Sequence, residues 1–247
     1  MTGGAVNLVV DDSVATLTLA RPRSGNAFDT ATAHEFAQAL AGAQASAAVL
    51  VLRGEGRLFC AGGDVAMMAR APSPHQALGE LVDALSAGMA ALARSSLVVV
   101  SVIHGAVAGA GMALPLLSDY VIASPSATFV SGYSGIGVTP DCGVSYLLPR
   151  AIGERRALQF ALMGQPVDAA TALSWGVIDE LVPDTDLDSA LARVLARATG
   201  GQAVAPTRAL IRDLSGMEQH MSAEREQIVA LAATEEASRL IQAFAQR

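Results

Sequence analysis

Apolar and polar residues alternate along Val14–Leu19, run unbroken through Leu97–Ile103, and give way to amphipathic spacing near the C-terminal end. The alternating stretch reads as a strand with one buried face, paired with Val6–Val10 across a turn at Asp11-Asp12-Ser13. Leu97–Ile103 is short, β-branched and bounded by polar residues and glycine, the mark of a buried strand. Ala48–Arg53, Tyr120–Ala123 and Thr128–Val130 are further strands. Helices are expected from Asp29 or Thr30 (either can cap) to Ala43, then over Gln76–Ala93, Met112–Leu117, Val144–Leu148, Glu154–Met163 and Pro166–Leu173. Ser131–Gly143 is too glycine-rich to be regular. This alternation of strand and helix argues an α/β fold. From Pro183 on, strands cease, and Leu187–Ala198, Pro206–Leu214 and Met217–Gln246 read as helices, the last long and amphipathic. The expected division is a core over residues 1–185 and a helical region over 186–247.

Two strand ends run into glycine-crowded turns that open helices. After Leu97–Ile103 come Gly105, Gly109 and Gly111, with Pro115 in the first turn of the helix, where early amides lack an intrahelical acceptor. After Ala48–Arg53 comes Phe59-Cys60-Ala61-Gly62-Gly63-Asp64, where Asp64 fits an N-cap and leaves the Gly63 N–H unclaimed. Amides at such turns suit an anionic oxygen. Either turn alone could serve close packing only. Two together, each presenting an amide, can form an oxyanion hole.

Composition narrows the partners. The chain has 247 residues, 52% hydrophobic and 4% aromatic, enough for one substantial core. Its net charge is −7, with sixteen arginines and no lysine, which argues against nucleic acid. Cys60 and Cys142 offer neither a disulfide framework nor zinc-ligand spacing, and no metal site is expected. A reducing cytoplasm is the natural setting. No signal peptide is apparent at the N-terminus, and the longest apolar run is too short to span a bilayer.

The Phe59–Asp64 element and the later Gly105-x-x-x-Gly109-x-Gly111 element, at this separation, resemble the hallmarks of the crotonase (enoyl-CoA hydratase/isomerase) superfamily, and the likeness extends from about Val6 to Arg247. The resemblance implies a crotonase-like spiral of ββα units with a C-terminal helical trimerisation region, hence a homotrimer or a dimer of trimers. It implies an acyl-CoA substrate, with no cofactor beyond the coenzyme A that enters as part of the thioester. The oxyanion donors it implies are the backbone N–H groups of Gly63 and Ala110, alanine standing where the family usually has glycine. The loop Arg21–Ala27 corresponds to one that contacts the nucleotide end of coenzyme A, so Arg21 and Arg23 are candidates for its phosphates. Ala61, Gly62, Asp64, Met68, Gly109 and Tyr133 complete the expected substrate-binding set, although a helical methionine such as Met68 is more often ordinary core.

The acid–base equipment departs from the hydratase pattern. Hydratases of the family carry two glutamates, at positions held here by Ala113 and Tyr133, and neither residue can act as a carboxylate base. The remaining carboxylate near the expected substrate is Asp141, in Val138-Thr139-Pro140-Asp141-Cys142-Gly143. Members with aspartate there include enoyl-CoA isomerases, a ring-epoxide isomerase and a dehalogenase. An isomerase needs only one base, whose pKa an apolar pocket would raise. The leading expectation is an isomerase using Asp141. The alternatives are a hydratase with unusual groups, a dehalogenase or thioesterase, and a non-catalytic acyl-CoA binder. Tyr133 reads as filler for the missing glutamate, Trp175 as structural, and His104 as a satisfied structural histidine.

Overall fold

The computed structural model describes residues 4–199, 201 and 203–246. Val6–Asp11 (β1) and Val14–Leu19 (β2) form an antiparallel hairpin, with Asp12 turning the corner at φ 50°. The alternation in β2 buries Ala15, Leu17 and Leu19. Asp29 caps the helix Thr30–Ser46 (α1) by accepting from the Thr32 N–H at 2.7 Å. Val49–Gly54 (β3) follows and pairs parallel with β2. Val65–Arg70 (α2) opens at Asp64, and Pro74–Arg94 (α3) starts at its own proline, which needs no acceptor at that position. Val98–Ile103 (β4) and Ala106–Ala108 (β5) lead into a tight 3-10 turn at Gly109–Met112 and a short helix, Ala113–Leu117 (α4). Tyr120–Ala123 (β6) and Thr128–Val130 (β7) lie where the pattern placed them.

Val144–Ile152 (α5) runs one turn beyond the expected end, with Pro149 inside it, and Glu154–Met163 (α6) follows. The helix expected over Pro166–Leu173 is instead a two-residue strand, Val167–Asp168 (β8), and a helix, Ala169–Trp175 (α7). Asp168 accepts from the Thr171 N–H at 2.8 Å and caps that helix, so it starts later. Glu180–Leu181 (β9) is the last strand. Leu187–Ala198 (α8) is as expected, while the next helix covers Val204–Ile211 (α9) rather than Pro206–Leu214. The single helix expected over Met217–Gln246 is two: Met217–Ala232 (α10) and Glu235–Ala245 (α11). Thr234, extended and accepting from the Ala237 N–H, starts the second helix and breaks the first.

A six-stranded sheet runs β1-β2-β3-β4-β6-β9, parallel after the first pair, and a smaller sheet runs β5-β7-β8. Sheet and helices α1 and α3 enclose the main core, in which Phe28, Phe36, Leu85 and Met89 are almost fully buried. A second, smaller core lies on the other face, where Val49, Val51, Val100, Val102 and Ile122 meet Ala190 and Leu191 of α8. The C-terminal helices fold back: α10 lies along α3, and α11 along α2. Among the described residues no helix is long and apolar enough to cross a membrane.

Candidate active site

The two glycine turns meet backbone to backbone. Cys60 and Val107 form a parallel bridge, with the Cys60 N–H donating to the Ala106 carbonyl at 3.2 Å and the Ala108 N–H to the Cys60 carbonyl at 2.9 Å. Gly62 lies at φ 87°, and a Cβ there would stand 2.6 Å from the Ala108 oxygen and 3.2 Å from the Ala110 nitrogen. A side chain would therefore force the turns apart, and the left-handed backbone adds its own penalty. Gly111 is equally confined, because a Cβ would stand 2.8 Å from Cys60 Sγ.

Beside Gly63, the Gly62 carbonyl accepts from the Phe28 N–H at 2.7 Å, and the Asp64 N–H donates to the Phe28 carbonyl at 2.8 Å. Gly63 N–H itself has no backbone acceptor among the described residues. Asp64 caps α2 as expected, accepting from the Met67 N–H at 2.9 Å. Ala110 is the second residue of its 3-10 turn, where amides precede any carbonyl within the turn. It is not among the residues with positive φ, so alanine keeps the amide there without strain. Met68 is 2% exposed, and its methyl group lies over Gly63.

Arg21 has an occupation other than the anticipated phosphate contact. Its guanidinium binds Asp29 at 2.9 Å, Asp64 at 3.2 Å and the Ala27 carbonyl at 2.6 Å, tying together the caps of α1 and α2. Arg23 stands exposed, with no ion-pair partner among the described residues. Asn26, to which the sequence assigned no role, is 1% exposed at φ 58°. Its amide donates to the carbonyls of Glu55 and Leu58 at 2.8 and 2.7 Å, and its Oδ1 accepts from the Arg21 N–H at 2.9 Å. It clamps the Arg21–Ala27 loop to the segment leading into the first turn, where the Ala61 N–H also donates to the Gly25 carbonyl at 2.9 Å.

Gly109 connects this region to the glycine-rich loop. Its Cβ position lies 4.0 Å from the Gly62 Cα and 3.9 Å from the Ser131 carbonyl, and that of Gly132 lies 3.7 Å from the Gly109 nitrogen. The next residue, Tyr133, donates its hydroxyl to Asp141 Oδ1 at 2.8 Å. Tyr133 thus does more than fill the space of a glutamate. Asp141 is 5% exposed. Burial pushes its carboxyl up to about 6, the Tyr133 hydrogen bond opposes that rise, and the nearby Glu224 charge adds to it. Burial, then the charge of Asp141, holds the Tyr133 phenol well above its ordinary value, so it remains a donor.

Glu224, on α10, is the carboxylate that the sequence left undistinguished. It is 5% exposed and accepts from the N–H groups of Gly143 and Ser145 at 2.7 and 3.0 Å and from Ser145 Oγ at 2.5 Å. Nothing in a helix with several surface glutamates marked this one as buried. His104 donates from Nε2 to the Gly56 carbonyl at 2.8 Å, a contact with the scaffold. Trp175 packs beside the core, with the Arg156 guanidinium 5.9 Å from its ring. Among the described residues no cluster of three His, Cys, Asp or Glu side chains is placed to hold a metal ion.

Comparison with known proteins agrees with this architecture. A profile described as enoyl-CoA hydratase/isomerase matches residues 10–247. A probable enoyl-CoA hydratase of Rhodobacter capsulatus is 37% identical over 180 residues, 72% of this chain and 69% of that one. The 1,2-epoxyphenylacetyl-CoA isomerase of Escherichia coli is 39% identical over 194 residues, 76% of this chain and 74% of that one. The crystal structure of an enoyl-CoA hydratase from Bacillus halodurans superposes with a TM-score of 0.90 at 25% identity, covering 97% of this chain and all of that one. With its paired glycine turns and its sheet order, the chain has the crotonase fold and belongs to the enoyl-CoA hydratase/isomerase family.

Proposed function

We propose that the protein is an isomerase that shifts a double bond in an enoyl-CoA thioester, with Asp141 as its single acid–base. The observation that carries this is one buried carboxyl, raised to about 6 and held by Tyr133, on a loop that abuts the paired glycine turns. The thioester oxygen accepts from the Gly63 and Ala110 N–H groups. The Asp141 carboxylate takes a proton from the α-carbon of a 3-enoyl thioester, and the electron pair moves onto the carbonyl oxygen as a dienolate. The same carboxyl then returns the proton to the γ-carbon, leaving the 2-enoyl product. A group that must alternate between base and acid works best with a pKa near the working pH. Each oxyanion donor contributes about 3 kcal/mol to holding the dienolate.

Hydration would need a second group to activate water, and the two glutamate positions hold Ala113 and Tyr133. Glu224 does not fill that role, because both its oxygens are taken by Gly143 and Ser145. Relatives named as isomerases, among them a trans-2-decenoyl-[acyl-carrier-protein] isomerase of Streptococcus mutans, support the same reading beside those named as hydratases. Arg23 is the residue offered to the coenzyme A phosphates, while Arg21 acts by holding Asp64 and Asp29. The protein assembles as a homotrimer or a dimer of trimers, and Leu210, Ile211 and Phe244 are exposed on the C-terminal helices that such an assembly would use. The test is Asp141→Asn: isomerisation of 3-enoyl-CoA falls to background while the variant still binds the 2-enoyl thioester. Retained isomerisation would refute the assignment.

A further inference from the structure

The turn that carries Asp141 is secured only in part by its own hydrogen bonds. Cys142 and Gly143 are both left-handed, at φ 56° and 81°, and a non-glycine residue in that region is strained. α5 begins at once with Val144, and its cap residue, Gly143, has no side chain to satisfy the first amides. The Val144 N–H returns to the Asp141 carbonyl at 3.0 Å. The amides on either side reach a residue about eighty positions along: Glu224 accepts from Gly143 N–H at 2.7 Å and Ser145 N–H at 3.0 Å. Ser145 Oγ donates to the same carboxylate at 2.5 Å, and His220 Nε2 lies 2.8 Å from that hydroxyl. Met217, also on α10, closes on Gly143 so tightly that a Cβ there would meet its methyl group.

We infer that Glu224 is the positioning residue for Asp141: reaching in from the C-terminal region, it locks the Asp141–Ser145 turn and sets a negative charge beside the reacting carboxyl. It does not touch substrate, since its side chain is 4% exposed and fully occupied by protein donors. The inference rests on Asp141 being the acid–base. It also gives the C-terminal helices a part in the chemistry within one chain. The titratable groups facing Asp141 are Tyr133 from the glycine-rich loop, Cys142 beside it and Glu224 from α10, with His220 beyond Glu224 and the uncharged Ser86 of α3 against the Cys142 thiol. Of these, Glu224 carries the charge that raises the Asp141 carboxyl.

The experiment compares Glu224→Gln, Glu224→Asp and Ser145→Ala with Asp141→Asn, recording kcat, KM and the pH profile of 3-enoyl-CoA isomerisation. Glu224→Gln loses one acceptor oxygen and the charge. It lowers kcat about 10- to 100-fold, the scale of an ångström of misplacement, with KM within about 3-fold. The acid limb of kcat/KM moves to lower pH, because a neighbouring negative charge has gone. Glu224→Asp keeps the charge, so its acid limb returns to the wild-type position. If Glu224→Gln fails to fold, Ser145→Ala removes only one hydrogen bond to the carboxylate and still lowers kcat by about 3-fold or more at unchanged KM. Wild-type kcat and an unmoved acid limb in Glu224→Gln, or wild-type kcat in Ser145→Ala, would overturn the inference. Should Asp141→Asn be inactive while the Glu224 and Ser145 variants behave as wild type, this inference alone fails. An active Asp141→Asn overturns both it and the isomerase reading.

Discussion

Tyr133→Phe removes one oxygen atom and the hydrogen bond that its O–H makes to Asp141 Oδ1 at 2.8 Å. The bond favours the ionised carboxyl, and a hydrogen bond to a charged group contributes about 1.5–3 kcal/mol. At 1.36 kcal/mol per unit, its loss raises the Asp141 carboxyl by about one to two units, starting from about 6 in the wild type. The ionised share at pH 7 then falls from about nine-tenths to between about one-half and one-tenth. The assay is kcat/KM for 3-enoyl-CoA isomerisation across the range from about pH 5 to 9, where the group titrates. The acid limb moves upward by one to two units, and the rate at the alkaline end approaches that of the wild type, since a more basic carboxylate is also a better base. An acid limb that stays in place or moves downward would refute the reasoning. So would activity lost equally at every pH, which would assign the Tyr133 hydroxyl to the substrate instead.

Burial of Asp141 also makes stability depend on pH. The folded protein keeps a proton to about 6 that the unfolded chain releases near 3.8, so this stabilisation is complete below about pH 4 and is lost as pH rises through 6. Asp141→Asn therefore melts near the wild type at acid pH and is more stable at pH 8 by up to about 3 kcal/mol, measured by denaturant unfolding at both values. Gly62→Ala places a methyl group 2.6 Å from the Ala108 oxygen at a left-handed position; it lowers stability by about 1–3 kcal/mol or more and abolishes turnover, as thermal melts and assays will read. Arg21→Ala and Arg23→Ala separate two roles. The first lowers the melting temperature and kcat by releasing Asp64 and Asp29, whereas the second leaves stability unchanged and raises KM for the CoA thioester but not for a pantetheine thioester.

What the chain disclosed beforehand was mostly local. The β2 alternation, the apolar β4 run and the Asp64 cap each depend on neighbours within a few residues, and the structure has them as expected. The Met217–Gln246 pattern did not reveal its break, because Thr234 ends α10 through a cap that any amphipathic spacing tolerates. β5 and β8 were invisible for a related reason: with three and two residues they are strands only through their partners in the small sheet. In the site, the turn residues were legible because glycine has few reasons to crowd a strand end. The roles of Arg21 and Glu224 were not legible. Arg21 meets a carboxylate 43 positions away, and Glu224 caps amides 79 and 81 positions away. Charge alone does not show which surface-type residue folds inward.

The most direct test of the central claim is product analysis with matched 3-enoyl-CoA and 2-enoyl-CoA thioesters, resolving enoyl isomers from the hydrated 3-hydroxyacyl product by chromatography and mass. An isomerase built on Asp141 converts the 3-enoyl compound to the 2-enoyl compound, forms no 3-hydroxyacyl-CoA from either, and loses that conversion in Asp141→Asn. Accumulation of 3-hydroxyacyl-CoA from the 2-enoyl thioester, persisting in Asp141→Asn, would contradict the account and make the protein a hydratase that works through other groups.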